Sequence, residues 1–541
     1  MSAACADPVP AGSAAFDPAA LVALGVPVTS LALDSRSVQP GDVFVACPGR
    51  ANDGRAFIAQ AIARGAKAVL WEASDDFRWN SAWPVPNLAL AGLHEQLGAL
   101  ASHVYGHPSR SLWVVAVTGT NGKTSVTRWI AQALTASGVK CAVIGTLGAG
   151  YPDEAAGGSA GGSGGVPNAT AIDGTVKAPV DGAPMTALAN TTPDAVTLHA
   201  VLARFVREGA RAVALEASSI ALDQHRLDAV KVDVAVFTNL SRDHLDYHAS
   251  FEAYGAAKAR LFDWPTLAGA VINLDDEFGR ELSRRLHARG VPVLGFGLNT
   301  PDAVIAGHDL RLGSRGMQLE IVAQGTPVRI QSPLLGAFNA SNLLATAGVL
   351  MLDGIPAARL PPLLGAVNAP PGRMQPVVAG NDSAQPLVIV DYAHTPDALA
   401  NALATLRAML PVGGRLACVF GCGGDRDPGK RPLMGEIAAR LADRVWVTSD
   451  NPRSEAPDRI IDEVLAGVTV SNAVLRRDAD RARAIEAALT ESAPGDIVLI
   501  AGKGHEAWQE VAGVKQPFDD RVVAVQVLRS LTRAGGLSRW R

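Results

Sequence analysis

Trp113-Val114-Val115-Ala116-Val117-Thr118-Gly119-Thr120-Asn121-Gly122-Lys123-Thr124-Ser125 is the stretch that decides the fold. Its first five residues are apolar, as expected for a strand buried on both faces of a parallel sheet. A glycine turn follows, and Lys123 and Thr124 open a helical pattern that runs over Ser125 to Leu134. Backbone N–H groups of such a loop, with the helix N-terminus behind them, cradle phosphates. The lysine supplies a point charge and the threonine hydroxyl a Mg²⁺ ligand. The strict G-x-x-x-x-G-K-[ST] pattern is not met, because Val117 holds its first glycine position and Gly119 comes two residues later. The plainer alternative is an ordinary strand–turn–helix junction with an exposed lysine. The strand before and the helix after favour the phosphate loop.

Working outward, similar apolar runs recur at Val213-Ala214-Leu215, Val234 to Phe237, Val388-Ile389-Val390, Val445-Trp446-Val447 and Ile497 to Ile500. Helical spacing lies between them, as over Pro396 to Met409, so βαβ units are the natural reading. Polar residues and glycines cluster just after these runs, at the sheet edge where α/β proteins bind ligands. Ala149 to Pro184 is crowded with Gly, Ala, Ser and Pro and reads as a flexible surface insertion. Ala369-Pro370-Pro371-Gly372 reads as a stiff linker. Boundaries near residues 110 and 370 therefore predict three domains, 1–110, 111–370 and 371–541.

A chain of 541 residues allows three to four domains at roughly 150 residues each. The 48 Lys and Arg against 52 Asp and Glu leave a net charge of −4, which offers no argument for a nucleic-acid or acidic-membrane partner. No apolar run approaches the ~20 residues needed to span a bilayer. Five scattered cysteines without metal or redox spacing predict reduced thiols in a cytoplasmic protein. A monomer is expected.

Glu216 ends the run Ala212 to Leu215 and so projects from the same sheet edge as the phosphate loop. After the next run comes Thr238-Asn239-Leu240-Ser241-Arg242-Asp243-His244-Leu245-Asp246-Tyr247-His248. Oxygen ligands such as Glu216 and Thr124 suit Mg²⁺. For His244 and His248, a capping or packing role and a role at the site stand about even. In the helical stretch Phe251 to Trp264, positions Phe251, Tyr254, Lys258, Leu261 and Phe262 share one stripe. A lysine on an apolar face must snorkel, pair or lose its charge. Desolvation would leave a neutral amine able to take up CO₂ as a carbamate, an oxygen ligand for Mg²⁺.

Together these residues resemble the Mur ligases, ATP-dependent enzymes that build the peptide of peptidoglycan precursors. The likeness runs through Leu33-Asp34-Ser35-Arg36, Thr118 to Ser125, Asn190-Thr191-Thr192-Pro193, Glu216-Ala217-Ser218-Ser219, Lys258, Gly372-Arg373-Met374 and Asp391 to Pro396. It continues in Gly421 to Asp427, Asp450-Asn451-Pro452-Arg453 and Gly502-Lys503-Gly504-His505-Glu506. The resemblance implies a small α/β UDP-binding domain, a central P-loop-type parallel-sheet ATPase domain and a C-terminal Rossmann-like α/β domain. It implies that Leu33, Ser35, Asn190, Thr191, Thr192, Ser218, Gln224 and Arg226 hold a UDP-muramoyl dipeptide. Gly119, Thr120, Asn121, Gly122, Lys123, Thr124 and Ser125 would bind ATP, helped by Asn342, Arg373, Asp391 and His394. Lys123, Lys258, Glu216 and His244 would be the catalytic set. Two Mg²⁺ ions are implied, held by Thr124, Glu216, His244 and Lys258 as its CO₂-derived carbamate. Ile220 stands where relatives often have His, and Arg50-Ala51-Asn52 lacks a His-Gln pair seen in some.

By the same resemblance, Arg426, Asp450, Asn451, Pro452, Arg453, Gly502 and Glu506 would receive the amino acid that is added, meso-diaminopimelate. The plain alternative for Asp450 to Arg453 is turn chemistry. Physics supports the choice of amino acid. Diaminopimelate ends in a carboxylate that Arg453 can grip bidentately, whereas lysine ends in an ammonium that Arg453 repels. Glu506 would receive the distal ammonium. A sister ligase that adds L-lysine, and a P-loop nucleotide switch without ligation, stand as the alternatives.

Overall fold

A computed structural model of the chain describes residues 16–49, 52–152, 185–300, 303–313, 316–379, 385–469 and 473–538. Cys5, Arg50, Ala51 and residues 153–184 of the glycine-rich segment lie outside the described residues. The chain forms two compact units, one of Met1–Gly307, Ile321–Val328 and Ser341–Leu364, the other of His308–Glu320, Arg329–Ala340 and Gly365–Arg541.

In the first unit, four parallel strands form a small sheet in chain order, β1 Leu31–Ala32, β2 Val43–Ala46, β3 Ala68–Glu72 and β4 Asn87–Leu90. A larger sheet uses β5 Trp113–Thr118, β6 Cys141–Gly145, β7 Gly148–Gly150, β8 Ala212–Glu216, β9 Val234–Phe237, β10 Gly269–Asn273 and β11 Val293–Gly297. Their order is β11-β10-β9-β5-β8-β6-β7, all parallel except β7 against β6. Three further strands follow, β12 Ile305–Gly313, β13 Gly316–Ala323 and β14 Thr326–Ser332. β5, β8, β9 and β10 are almost wholly buried, as strands covered on both faces must be. β5 sits between β8 and β9, so the loop after it opens at the middle of the carboxyl edge.

Two readings of the sequence change here. Ala149 and Gly150 belong to β7, paired with Ile144 and Val143, and are not part of a flexible insertion. Small residues there allow β7 to lie close beside Met185 and Thr186, which the composition alone could not reveal. The helix expected over Phe251 to Trp264 is an α-helix only over Phe251–Ala259 and then a 3₁₀ turn, Arg260–Asp263. Phe251 is 40% exposed, whereas Tyr254, Lys258, Leu261 and Phe262 are buried. The stripe is real from Tyr254 onward, because tightening to 3₁₀ keeps Leu261 and Phe262 on the core side.

The second unit holds β15 Gln375–Val377, β16 Leu387–Asp391, β17 Leu416–Phe420, β18 Arg444–Val447, β19 Val474–Arg477 and β20 Ile497–Ala501, in the order β15-β16-β20-β17-β18-β19. All pairs are parallel except β15 with β16. The carboxyl ends of β16, β17, β18 and β20 deliver residues 391–396, 421–427, 448–453 and 502–506 to one edge. A hairpin, β21 Trp508–Val511 and β22 Val514–Pro517, follows β20. Beneath that edge, fully buried Arg481 pairs with Asp520 at 2.7 Å and donates to the carbonyls of Ser449 (3.1 Å) and Ala501 (2.9 Å). One guanidinium thereby ties the end of β20 to the loop after β18. Among the described residues, no helix is long and apolar enough to cross a membrane, and the four described cysteines are free thiols.

Candidate active site

The phosphate loop is built from close backbone approach. Gly119 has φ +147°, and a Cβ there would sit 1.9 Å from Thr238 Oγ1. Gly122 has φ +86°, and its Cβ would meet Asn342 Oδ1 at 2.4 Å, which places Asn342 against the loop. The segment after β9 braces the loop. The Thr120 N–H donates to the Asn239 carbonyl (2.8 Å), the Asn121 N–H to Asn239 Oδ1 (3.0 Å), and Thr238 Oγ1 to the Asn121 carbonyl (2.6 Å). Lys123 opens the helix Lys123–Ala136 and folds back, its Nζ 2.9 Å from the carbonyl oxygens of both Gly119 and Thr120.

Lys258 converges on the same point. Its Nζ is buried, donates to the Gly119 carbonyl at 2.8 Å and lies 4.3 Å from the centre of the Tyr254 ring. Desolvation, with the Lys123 charge nearby, drives its pKa well below the ordinary lysine value. Tyr254 in turn places its hydroxyl 3.2 Å from Thr120 Oγ1, and burial raises its pKa. The buried environment thus disfavours the charged form of the amine beside the Gly119 carbonyl.

Glu216, at the end of β8, is buried. Its Oε1 accepts from Thr124 Oγ1 (2.9 Å) and the Thr146 N–H (2.8 Å), and its Oε2 from Thr146 Oγ1 (3.2 Å). These donors are neutral, and the paired Thr124 and Glu216 oxygens are hard ligands of the kind Mg²⁺ selects. His244 is exposed with φ +53°, at the start of the short helix Leu245–His248, its ring 6.2 Å from that of Tyr254 and its Nε2 3.6 Å from Asp243. Its contacts run to Asp243 and Tyr254, not to Glu216. Among the described residues, no cluster of three or more His, Cys, Asp or Glu is placed to hold a metal. His248 has a packing role, its Nε2 2.9 Å from Ser219 Oγ, and burial lowers its pKa.

The residues expected at the muramoyl dipeptide form a linked set. Thr192 Oγ1 donates to the Glu216 carbonyl (2.6 Å) and accepts from the Ser218 N–H (3.1 Å). Arg226 donates to the Thr192 carbonyl (2.8 Å) and to Gln224 Oε1 (2.6 Å). Gln224 Nε2 donates to the Tyr247 hydroxyl at 3.0 Å. Ser218 Oγ caps the helix Ser219–Asp223, Thr191 Oγ1 is 3.1 Å from Thr146 Oγ1, and Asn190 is exposed. After β1 of the small sheet, Leu33 packs against the core and buried Ser35 donates to Gln60 Oε1 (2.8 Å).

The second unit gathers the other predicted group. Arg373 lies over the Tyr392 ring at 4.5 Å. Asp391 accepts from the Met374 N–H (2.6 Å) and the Ala393 N–H (2.8 Å), and burial raises its pKa. His394 Nδ1 is 2.8 Å from the Tyr392 carbonyl. Arg453 has φ +51° and is clasped by the hairpin: its N–H donates to the Glu510 carbonyl (3.0 Å) and its own carbonyl accepts from Ala512 (2.7 Å). Its side chain donates to the Gly424 carbonyl (2.6 Å), with Glu510 Oε2 at 3.8 Å. A left-handed arginine held by two backbone bonds is the kind of strain found at functional sites. Asp450 and Asn451 are buried, Pro452 shapes the turn and an added Cβ on Gly502 would sit 2.5 Å from Asp450 Oδ2. Arg426 is exposed.

Sequence reasoning missed Lys503, which is fully buried and donates to Asn451 Oδ1 (3.1 Å), Glu506 Oε2 (3.1 Å) and the Trp508 carbonyl (2.6 Å). Glu506 Oε2 also accepts from Asn451 Nδ2 at 2.7 Å, so Lys503 and Asn451 both hold it. Thr146 and Glu510 are likewise contacts that no spacing announced, although Thr146 follows a buried strand at the carboxyl edge.

This is an α/β architecture in which a glycine-rich strand–loop–helix turn and the other singled-out residues follow the carboxyl ends of parallel strands. Three family models match the chain in order: "Mur ligase family, catalytic domain" over residues 27–105, "Mur ligase middle domain" over 117–350 and "Mur ligase, glutamate ligase domain" over 372–504. The chain belongs to the Mur ligase family. It is 46% identical to the UDP-N-acetylmuramoyl-L-alanyl-D-glutamate–2,6-diaminopimelate ligase of Chromobacterium violaceum, over 95% of this chain and 97% of that one. To the ligase of the same name from Pseudomonas aeruginosa it is 45% identical, covering 91% and 93%. A solved structure of a ligase so named shares 34% identity, with a TM-score of 0.63, over 94% of this chain and 96% of that one. Thermotoga maritima MurF ligase, solved with ADP, shares the fold at 19% identity and a TM-score of 0.61.

Proposed function

We propose that this chain joins meso-2,6-diaminopimelate to the D-glutamyl γ-carboxylate of UDP-N-acetylmuramoyl-L-alanyl-D-glutamate at the expense of ATP. The carrying observation is the near-full-length likeness to ligases named for that reaction. A phosphate loop with two lysine amines at one carbonyl, Gly119, supports it.

The carboxylate oxygen of the acceptor attacks the γ-phosphorus of ATP, the bond to ADP breaks, and an acyl phosphate forms. The diaminopimelate amine then attacks the acyl carbon, inorganic phosphate leaves, and the amine gives up a proton. Lys123 and the loop N–H groups hold the phosphates and offset charge that grows during transfer. Asn190, Thr191, Thr192, Ser218, Gln224 and Arg226 orient the acceptor, Leu33 and Ser35 its uridine end. Asn342, Arg373, Asp391 and His394 position the nucleotide. Arg453 grips the distal carboxylate of diaminopimelate, with Arg426, Asp450, Asn451, Pro452, Gly502 and Glu506 around it. Thr124 and Glu216 fit Mg²⁺, and His244 and Lys258 (as its carbamate) would help hold a second ion; when bound, such ions would supply positive charge to the transferring phosphoryl group. Lys258, desolvated and therefore nucleophilic, fits the carbamylated position: its nitrogen bonds to the carbon of CO₂ and releases a proton. We place the domain boundaries near residues 110 and 370, and the protein in the cytoplasm as a monomer.

The test follows one oxygen. With the acceptor γ-carboxylate labelled by heavy oxygen, one labelled atom must appear in the released phosphate. Unlabelled phosphate would overturn the acyl-phosphate route.

A further inference from the structure

The geometry points to Thr146 as the positioning residue that couples the acceptor-binding loop to Glu216, an inference that rests on the function proposed above. The Thr146 hydroxyl donates to Glu216 Oε2 at 3.2 Å. A hydroxyl has a single proton. The 3.1 Å contact between Thr146 Oγ1 and Thr191 Oγ1 must therefore be donated by Thr191. The result is a directed chain, Thr191 to Thr146 to Glu216, whose far end lies in the segment proposed to hold the acceptor. Oε1 is meanwhile held by the Thr146 N–H and by Thr124 of the phosphate loop. A second strut runs beside it, from Thr192 Oγ1 to the Glu216 carbonyl at 2.6 Å.

Chemically, the chain makes the orientation of Glu216 depend on where Thr191 sits. Acceptor that fixes Thr191 in its donating rotamer fixes Glu216 Oε2, and with it the orientation of the carboxylate whose Oε1 faces Thr124. In metal sites, groups that orient a ligand are commonly worth ten- to a hundredfold in affinity. Thr146 therefore lets bound acceptor raise the affinity of the Thr124–Glu216 oxygens for Mg²⁺. By reciprocity, Mg²⁺ raises the affinity for acceptor.

Thr146→Val keeps the shape and the backbone N–H but removes the hydroxyl; Thr146→Ser keeps the hydroxyl. Acceptor binding would be measured by calorimetry on the full chain, with Mg²⁺ and with EDTA, in the absence of ATP. The Mg²⁺ concentration for half-maximal ADP formation would be measured separately. In the wild type, Mg²⁺ should tighten acceptor binding severalfold. Thr146→Val should abolish that tightening and raise the half-saturating Mg²⁺ about tenfold, with the KM for diaminopimelate unchanged. Thr146→Ser should restore both. The double variant Thr146→Val/Thr191→Val should shift Mg²⁺ dependence no further than Thr146→Val alone, because the two act through one chain. Equal Mg²⁺ dependence in wild type and Thr146→Val, failure of Thr146→Ser to restore it, or additive shifts in the double variant would each overturn the coupling. Absence of ADP formation in the wild type with every substrate present would instead sink the proposed ligation, and leave the calorimetric comparison to decide the role of Thr146.

Discussion

Lys258 and Arg453 carry the account at the scale of single residues. A buried amine on the Gly119 carbonyl gains one hydrogen bond and loses its hydration, and desolvation dominates, so its pKa falls. Between the lowered folded value and the ordinary lysine value, the unfolded chain binds more protons at Lys258 than the folded chain. Stability therefore falls as pH drops from the ordinary lysine value toward the lowered folded one, and Lys258→Met should flatten that slope in thermal melts under CO₂-free buffer. In activity, Lys258→Ala should lower ADP formation by at least a hundredfold, a loss of about 3 kcal/mol, while acceptor binding stays within a few-fold. Normal ADP formation would remove Lys258 from the first step. Arg453→Lys keeps the charge but not the planar fork, so the diaminopimelate KM should rise about a hundredfold with the ATP KM unchanged. An unchanged diaminopimelate KM would take Arg453 out of specificity.

Elements were legible where their residues had one environment. β5, β8, β9 and β20 are covered on both faces, so continuous Val, Ile and Ala runs marked them without ambiguity. The strand–glycine loop–helix turn at Gly119 to Lys123 was legible because glycines are required where the backbone approaches Thr238 and Asn342 closely. The end of the helix at Ala259 was not, since an apolar stripe suits both an α-helix and the 3₁₀ turn that follows. β7 was hidden by its composition, Gly148-Ala149-Gly150, which favours no element. Nor could spacing show that Lys503 reaches Glu506 and Asn451, because that meeting depends on where the chain turns after β20. The buried Arg481–Asp520 pair was equally silent in sequence and joins the strand ends that bear the second group. Removing one partner strands the other charge, so Asp520→Ala should cost about 3 to 5 kcal/mol in denaturant unfolding. Arg481→Met with Asp520→Leu should recover much of that loss, and additive losses would show that the pair is not the cause.

Over the whole molecule, the α/β architecture expected from the sequence is the one found, and the residues expected at the ligands follow the carboxyl ends of strands in both units. The slight net charge of −4 coexists with cationic side chains at Lys123 and Arg226 in the first unit and at Arg373 and Arg453 in the second, so any attraction for anionic substrates is local. Acid should weaken both units. Burial lowers His199, in the first, and His505, in the second, from 6.5 to about 4. Since the unfolded chain takes up these protons first, stability is lost as pH falls from about 6.5 toward 4, by roughly 3 kcal/mol for His199. His199→Gln should make the melting temperature less sensitive to pH over that window; an unaltered pH slope would contradict this assignment. The central claim is the choice of amino acid, and phosphate release tests it most directly. With ATP, Mg²⁺ and UDP-N-acetylmuramoyl-L-alanyl-D-glutamate, meso-diaminopimelate should support sustained release and L-lysine should not. Release with lysine alone, or with neither amino acid, would contradict the account.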